Sequence, residues 1–180
     1  NLNFNAMRKF YLMLVAFFCM LLTMQAQAVT ELSQLANSKV YTLRSARAFL
    51  LYSSQRPNEI CSSTGTAVGT VTQDAEDPNQ QFRIEKNGDN YYLYSVGAEK
   101  YVTANGGFSA TPSAALTLEK VGGSYPWKLL LGGNGMISQE SGQMAAGIVV
   151  NSWTTTDPGN CYEIFEVVVG PQTFVVDVLG

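Results

Sequence analysis

Histidine is absent from this sequence, and cysteine is scarce, with three residues in 180. Without histidine the Ser-His-Asp and Cys-His catalytic arrangements cannot be built, and the commonest protein ligand of zinc is missing. An enzyme would have to work with carboxylate, serine, lysine or tyrosine side chains alone. We therefore expect no catalytic residues, no metal site and no cofactor.

Charge is also scarce: only 14% of the residues are Asp, Glu, Lys or Arg, and the net charge is −3. Two of the 11 basic residues, Arg8 and Lys9, lie in an N-terminal segment that we expect to be removed, which leaves a more acidic chain. Proteins that bind nucleic acids or anionic membranes are normally basic. We therefore expect no nucleic-acid partner and no membrane partner after processing.

The N-terminal segment has the three parts of a secretory signal peptide. Arg8 and Lys9 follow Met7, an apolar run covers residues 10–24, and a small-x-small site ends at Ala28. The run is shorter than the roughly 20 residues that a membrane span needs, and no positive cluster follows it. We predict an upstream leader and signal peptide over residues 1–28, cleavage after Ala28, and a secreted or periplasmic product.

Processing would leave Cys61 and Cys161 as the two remaining cysteines. In an oxidising compartment they can form one disulfide. Two buried thiols are the alternative, because the sequence does not show whether the two Cα atoms approach within about 7 Å. Both possibilities stay open.

From residue 39 onward the sequence reads as short strands separated by Gly, Asn, Asp, Ser and Pro clusters, which predicts an all-β domain. The pattern of residues 77–84 returns at residues 157–164, and residues 124–129 supply a weaker third copy. Each copy is a turn followed by an aromatic residue and, two positions on, an apolar one. Such self-similarity indicates internal repeats.

The aromatic residues of these copies define three units of about forty residues. Three units are too few for a typical propeller, so closure around a pseudo-threefold axis, the β-trefoil, is the expected fold. In it the three aromatic rings occupy equivalent core positions. They are Phe82, Trp127 and Tyr162. The predicted repeats span residues 39–87, 88–132 and 133–169.

Two short segments flank the predicted trefoil of residues 39–169. Residues 29–38 form a lead-in. After Gly170 and Pro171 a new apolar segment covers residues 172–179, although the trefoil should already be closed. It is either an extra edge strand or, as we favour, the start of a further segment of a longer protein, so residues 170–180 are assigned as a linker or the beginning of that segment.

The repeats resemble the ricin-type β-trefoil family, whose repeats end in a Gln-x-Trp motif. In the first repeat Gln80 matches the glutamine, and Phe82 stands in place of the tryptophan. In the second repeat Trp127 matches the tryptophan, but the glutamine is lost. In the third repeat Asn160 and Tyr162 keep only the chemical character of the motif. The phrases at residues 91–97 and 151–153 are similar to trefoil modules attached to secreted glycan-processing proteins of gut-type bacteria. The resemblance implies a carbohydrate-binding accessory module.

Sugar pockets of that family combine a loop carboxylate, a stacking aromatic residue, a polar side chain two positions before it, and an Asn or Gln near the closing motif. The resemblance allows this set only in the third repeat. There Trp153 precedes Tyr162 by nine residues, Asn151 precedes Trp153 by two, and Asn160 lies in the closing motif. The first repeat offers residues 68–71 and the second offers residues 116–119 in the stacking region, and neither has an aromatic residue.

The carboxylate of this implied site has two candidates. The family position of the carboxylate falls near Ser138, and the nearest acid is Glu140, two residues on. Asp157, from the other side, is the second candidate. Asp157 also begins a good turn sequence, in which Asp caps its own backbone. Trp153 could equally belong to the core, so both alternatives stay open.

We therefore predict a secreted, noncatalytic carbohydrate-binding module whose partners are a glycan and a covalently linked catalytic domain outside this chain. The alternative is a protein-interaction or protease-inhibitor-like trefoil, which would use a protruding loop such as residues 57–69. An enzyme with paired carboxylates is a third possibility. Its candidates lie together in one polar connection, which is more typical of a solvated face. They are Glu59, Asp74, Glu76 and Asp77.

Overall fold

The computed structural model describes residues 27–47, 49–54, 60–61, 67–68, 74–133, 135–139, 147–152 and 158–168. The described chain is all-β, as predicted. Its strands are β1 Tyr41–Ser45, β2 Ile60–Cys61, β3 Ala67–Val68, β4 Phe82–Asn87, β5 Asn90–Ser95, β6 Lys100–Val102, β7 Phe108–Ser109, β8 Leu116–Lys120, β9 Trp127–Leu131, β10 Gly135–Ser138, β11 Val149–Asn151 and β12 Tyr162–Glu166. Three single 3-10 turns accompany them, η1 Leu32–Gln34, η2 Pro78–Gln80 and η3 Pro158–Asn160.

Six strands form a closed antiparallel ring. The order around the ring is β1, β4, β5, β8, β9, β12 and back to β1. Hairpins β6–β7 and β10–β11 extend from β5 and β9, and β2 pairs with β3. Closure of a ring satisfies the backbone groups that an open sheet would leave unpaired at its edges. Residues 27–167 belong to one compact unit.

Three of the six strand pairings in the ring consist of a single pair of facing residues: β1 with β4, β5 with β8, and β9 with β12. The three pairs are Tyr41 with Phe82, Tyr91 with Leu116, and Trp127 with Tyr162. Trp127 therefore lies opposite Tyr162. The prediction that Trp127 occupies a position equivalent to those of Phe82 and Tyr162 is wrong. The register gives Leu116 the place that Phe82 and Tyr162 occupy. The repeat boundaries and the pseudo-threefold axis stay predictions.

The interior of the ring follows from alternation along the strands, because successive side chains point to opposite faces. In β4, Phe82 and Ile84 are buried while Arg83 and Glu85 are partly exposed. Burial of the three predicted core aromatics is confirmed, although Trp127 lies in the strand that pairs with that of Tyr162. The largest fully buried side chains are Trp127, Tyr41, Tyr162 and Phe82.

The lead-in packs on this core. Val29 is buried, and its N–H donates to the Ile164 carbonyl at 2.8 Å. The indole N–H of Trp127 donates to the Val29 carbonyl at 2.7 Å, and the Ala36 N–H donates to the Tyr41 hydroxyl at 2.9 Å. The two largest core aromatics thus have hydrogen-bond partners for their polar atoms, which buried Trp and Tyr side chains require.

Several predictions fall outside the described residues. The signal peptide up to residue 26 and the tail from residue 169 onward lie there, and so does the side chain of Cys61, so the Cys61–Cys161 pairing stays open. In the ranges that the structure covers, no helix has the length and apolar character needed to cross a membrane.

Candidate functional site

Strand β10 organises the region of the predicted third-repeat site. Asn151 at the end of β11 faces Met136 of β10. On the other side, the N–H of Gln139 donates to the carbonyl of Gly159 in η3 at 2.8 Å. Asn151 and Gly159, described residues on either side of Trp153 in the sequence, therefore both lie against the β10 region.

The two described site residues differ in their access to solvent. Asn151 is half-buried and is followed by the exposed Ser152, whereas Asn160 is 0% exposed. A fully buried amide has no surface to offer a glycan, so Asn160 is a structural residue of the turn in this structure. Gln80, at the corresponding place in η2, is also buried and accepts from the Asp74 N–H at 3.2 Å.

The loop position that the family resemblance assigns to a carboxylate is buried as well. Ser138 is fully buried, and the neighbouring Gln139 is buried with its Nε2 donating to the Leu50 carbonyl at 3.3 Å. Glu140, Trp153 and Asp157 lie outside the described residues. Their roles as carboxylate, stacking ring and second carboxylate stay predictions.

The carboxylates of the first repeat act on their own backbone. Asp74 accepts from the Glu76 N–H and Asp77 from the Asn79 N–H, each at 2.9 Å. These hydrogen bonds are those of turns in which Asp caps its own backbone. Glu59 lies outside the described residues, and of the predicted loop at 57–69 only β2 and β3 are described. Across the described ranges no group of three or more acidic or cysteine residues could hold a metal ion.

Sequence reasoning missed an exposed aromatic residue in the second repeat. Phe108, in β7, is 37% exposed and faces the buried Val102 of β6. The turn before it is tightly bonded, since the Thr103 N–H donates to the Gly107 carbonyl at 2.8 Å. Within the turn, Asn105 Oδ1 accepts from the Thr103 hydroxyl at 2.5 Å and from the Gly107 N–H at 3.3 Å.

Phe108 was not predicted because Trp127 was assigned to the closing position of the second repeat. With Trp127 taken as the closing aromatic, the stacking region of the second repeat fell at residues 116–119. With Leu116 in that place, the spacing of nine residues leads to Gly107, next to Phe108. The sequence signal was the Thr-Pro turn at residues 111–112, which stands before Leu116 as Asp77 and Pro78 stand before Phe82.

A cluster of half-buried aromatic residues covers the outer side of β4, β5 and β6. We call it the tyrosine face, and it consists of Arg83, Glu85, Tyr92, Tyr94 and Tyr101. The strand register places these residues directly opposite each other. The pairs are Arg83 with Tyr94, Glu85 with Tyr92, and Tyr94 with Tyr101. All five side chains are half-buried.

The tyrosine face is held by specific contacts. The Tyr101 hydroxyl donates to Glu85 Oε2 at 2.7 Å, and Arg83 Nε lies 2.8 Å from Glu85 Oε1. The guanidinium of Arg83 sits 4.1 Å from the ring centroid of Tyr94, which itself meets Tyr101 edge to face at 5.1 Å. The hydrogen bond to Glu85, followed by burial, raises the pKa of Tyr101 above 10.0.

A cavity of about 280 Å³ lies between the lead-in and the ends of the barrel strands. Its charged residues, Lys39 and Glu166, form an ion pair at 2.7 Å. The hydrogen bond to Glu166 raises the pKa of Lys39. Because the two charges neutralise each other, the cavity has no net charge to attract an ionic ligand.

Comparison with known proteins gives the fold but no close relative. No family model matches the sequence, and no curated protein matches it. Solved structures do match. One is the designed threefold-symmetric protein ThreeFoil, with 15% identity and a TM-score of 0.52 over 71% of this chain and 99% of that one.

Two natural proteins are similar as well. The GlcNAcα1-4Gal releasing endo-β-galactosidase from Clostridium perfringens has 12% identity and a TM-score of 0.52 over 73% of this chain and 33% of the enzyme. The ricin B-like lectin from Macrolepiota procera, solved with lactose, has 14% identity and a TM-score of 0.47 over 72% of this chain and 96% of the lectin. Together with the closed six-stranded ring, the similarity to these structures shows a β-trefoil fold.

Proposed function

We propose that this protein is a secreted, noncatalytic carbohydrate-binding module that works beside a glycan-processing enzyme. The observation that carries the proposal is the exposed ring of Phe108 in a hairpin whose turn presents the Asn105 amide. The apolar C–H face of a pyranose packs on an aromatic ring, and its hydroxyls need fixed donors and acceptors nearby.

Asn105 is suited to supply such a donor. Its Oδ1 is occupied by Thr103 and Gly107, which fixes the amide group. Its Nδ2 has no partner among the residues that the structure describes, and the residue is exposed. A fixed amide N–H in the turn that leads to an exposed ring is suited to orient a sugar hydroxyl.

The third repeat supplies a second site in this proposal. Trp153 stacks on the sugar, while Asn151 and Glu140, with Asp157 as the alternative carboxylate, bind its hydroxyls. Support comes from the half-buried Asn151 and the exposed Ser152, which lead directly to Trp153. Asn160 is left out of the proposed site, because it is fully buried.

A linked catalytic domain is part of the proposal. One protein that shares the fold is an endo-β-galactosidase, and the match covers 33% of that enzyme. Such partial coverage is what a module within a larger enzyme produces. The charge of the chain, −3, agrees with an uncharged partner such as a neutral glycan rather than a nucleic acid.

A glycan array probed with residues 29–180 tests the proposal. We expect weak binding of one glycan class, with a dissociation constant in roughly the millimolar range, because a shallow site buries little area against the entropy of association. Phe108→Ala and Trp153→Ala should each reduce the signal while leaving the thermal midpoint nearly unchanged.

Leu32→Ala is the matched control, because Leu32 is the other large apolar side chain exposed in the described chain, at 39%. It should leave the array signal intact. A blank array for the unmodified protein would contradict the carbohydrate proposal and favour a protein-interaction trefoil. A Trp153→Ala variant that melts many degrees lower would place Trp153 in the core.

A further inference from the structure

We propose that the tyrosine face is a separate binding surface for a neutral pyranose, distinct from the two hairpin sites. The ligand class rests on the proposed function, but the site rests on its own geometry. It lies on the outer side of barrel strands β4 and β5 and on β6, and only Tyr101 belongs to the hairpin that carries Phe108.

The rings of this face are fixed before any ligand arrives. Tyr101 is held at its hydroxyl by Glu85, and its ring meets those of Tyr94 and Tyr92 nearly at right angles, with centroids 5.1 and 6.5 Å apart. Side chains that are already ordered lose little conformational entropy when a ligand binds. A weak ligand such as a sugar therefore gains most from such a surface.

A donor and an acceptor stand side by side at the centre of the face. The guanidinium of Arg83 lies beside Glu85, with Nε 2.8 Å from Glu85 Oε1. The side chains of Arg83 and Glu85 keep 37% and 20% of their surface exposed. Guanidinium donors next to carboxylate lone pairs match a vicinal diol, in which one hydroxyl accepts and the next donates.

Tyr92 supplies the stacking ring. Arg83 already covers one face of Tyr94, whereas no cation and no parallel ring stacks on Tyr92 within the described chain. Tyr92 faces Glu85 directly across the strands. A pyranose on the Tyr92 ring would therefore have its hydroxyl edge beside the Arg83–Glu85 pair.

Charge selects a neutral ligand over an acidic one. The carboxylate of Glu85 neutralises Arg83, so the face has no net positive charge to attract an anion. An acidic sugar would bring its carboxylate near Glu85 on a protein whose net charge is −3. Like charges at close range oppose binding.

NMR titration of ¹⁵N-labelled residues 29–180 tests this surface, with cellobiose, lactose and N,N′-diacetylchitobiose as neutral probes and glucuronate as the acidic one. We expect a neutral probe to shift the amides of residues 83–85, 92–94 and 101 together. Tyr92→Ala should weaken this binding at least about tenfold, since stacking on the ring is lost. Tyr92→Phe, which keeps the ring, should retain it.

Cross-strand pairs of this kind also stabilise a sheet without binding anything, so a control outside the face is needed. Tyr125→Ala removes another half-buried tyrosine and should leave the shifts unchanged. Shifts that persist in Tyr92→Ala, shifts only with glucuronate, or no shift in the tyrosine face with any neutral probe would each overturn the proposal.

The same spectra separate this proposal from the hairpin sites. Shifts in β4 to β6 that survive in a Phe108→Ala, Trp153→Ala double variant support the tyrosine face even where the hairpins bind nothing. Shifts confined to residues 103–109 and 149–152, and abolished in that variant, support the hairpin sites and contradict the tyrosine face.

Discussion

Aromatic residues on the two sides of the barrel wall have different surroundings. Those that point inward are at most 1% exposed and fill the core: Tyr41, Phe82, Trp127 and Tyr162. Those that keep part of their rings in solvent are Tyr92, Tyr94 and Tyr101 on the outer side of the sheet and Phe108 in the β6–β7 hairpin. Aromatic residues of the same types thus fill the core on one face of a strand and remain accessible to solvent on the other.

Neighbouring positions of the same strand separate these roles. In β4, Phe82 and Ile84 pack inside, and Arg83 and Glu85 hold the tyrosine face outside. Because the side-chain period of a strand is two, a slip of one residue would exchange the two sets. The comparison therefore predicts that inward substitutions lower stability and outward ones lower binding.

The largest expected effect is the loss of an inward aromatic. Trp127→Ala should lower the free energy of unfolding by about 3 to 5 kcal/mol, because it leaves a cavity in the core and removes the hydrogen bond to the Val29 carbonyl. Denaturant titration measures the loss. Phe108→Ala, at a partly exposed ring of the β6–β7 hairpin, should cost clearly less, about 1 kcal/mol.

A decrease of less than about 1 kcal/mol in the free energy of unfolding of Trp127→Ala would place that ring outside the core. It would contradict the expected difference between buried and solvent-exposed aromatic rings. A loss for Phe108→Ala as large as that for Trp127→Ala would do the same from the other side, since it would make Phe108 a core residue.

An intermediate effect is expected at the turn of the hairpin that presents Phe108. Gly106 has φ +82°, and a Cβ there would lie too close to the carbonyl oxygen of Ile148, which stands just before β11. Gly106→Ala should cost about 2 to 4 kcal/mol, from backbone strain and overpacking together.

Gly122→Ala isolates the backbone part of that cost. Gly122 has nearly the same φ, +81°, but nothing lies within 4 Å of its added Cβ. It should cost about 1 to 2 kcal/mol. Equal losses for the two variants in denaturant titration would mean that the Phe108 hairpin does not pack against Ile148.

The sequence allowed the fold to be predicted further than the site. Alternating strands, the Asp-Pro turns and the burial of Phe82 and Tyr162 could all be read from spacing along the chain. The place of Trp127 could not be predicted, because the residue at the equivalent position, Leu116, is not aromatic and the pattern was assigned to an aromatic residue instead. The tyrosine face could not either, since its pairs depend on the register across β4, β5 and β6.

The smallest expected effect compares an inward and an outward tyrosine. Burial raises the pKa of Tyr41, and the hydrogen bond to Glu85 raises that of Tyr101. Raised values mean that both phenols stabilise the fold below about pH 10, and that this contribution is lost as the pH rises through each folded pKa. Glu85→Gln should lower the pKa of Tyr101 and leave that of Tyr41 unchanged.

NMR titration of ¹³C-labelled tyrosine rings from about pH 8 to about pH 12 measures both values. An unchanged pKa of Tyr101 in Glu85→Gln would show that the hydrogen bond does not hold that ring. A parallel fall at Tyr41 would show that the substitution disturbs the whole fold.

The central claim is that the rings of Phe108 and Trp153 bind a glycan. The affinity of a Phe108→Ala, Trp153→Ala double variant for the strongest glycan on the array tests this claim most directly. A Leu32→Ala, Tyr125→Ala double variant, which removes exposed and half-buried apolar surface elsewhere, is the control. We predict binding at least about tenfold weaker in the first variant, since each lost stacking contact is worth on the order of 1 kcal/mol, and wild-type binding in the second. Equal affinity in the wild type and the first variant would contradict the claim.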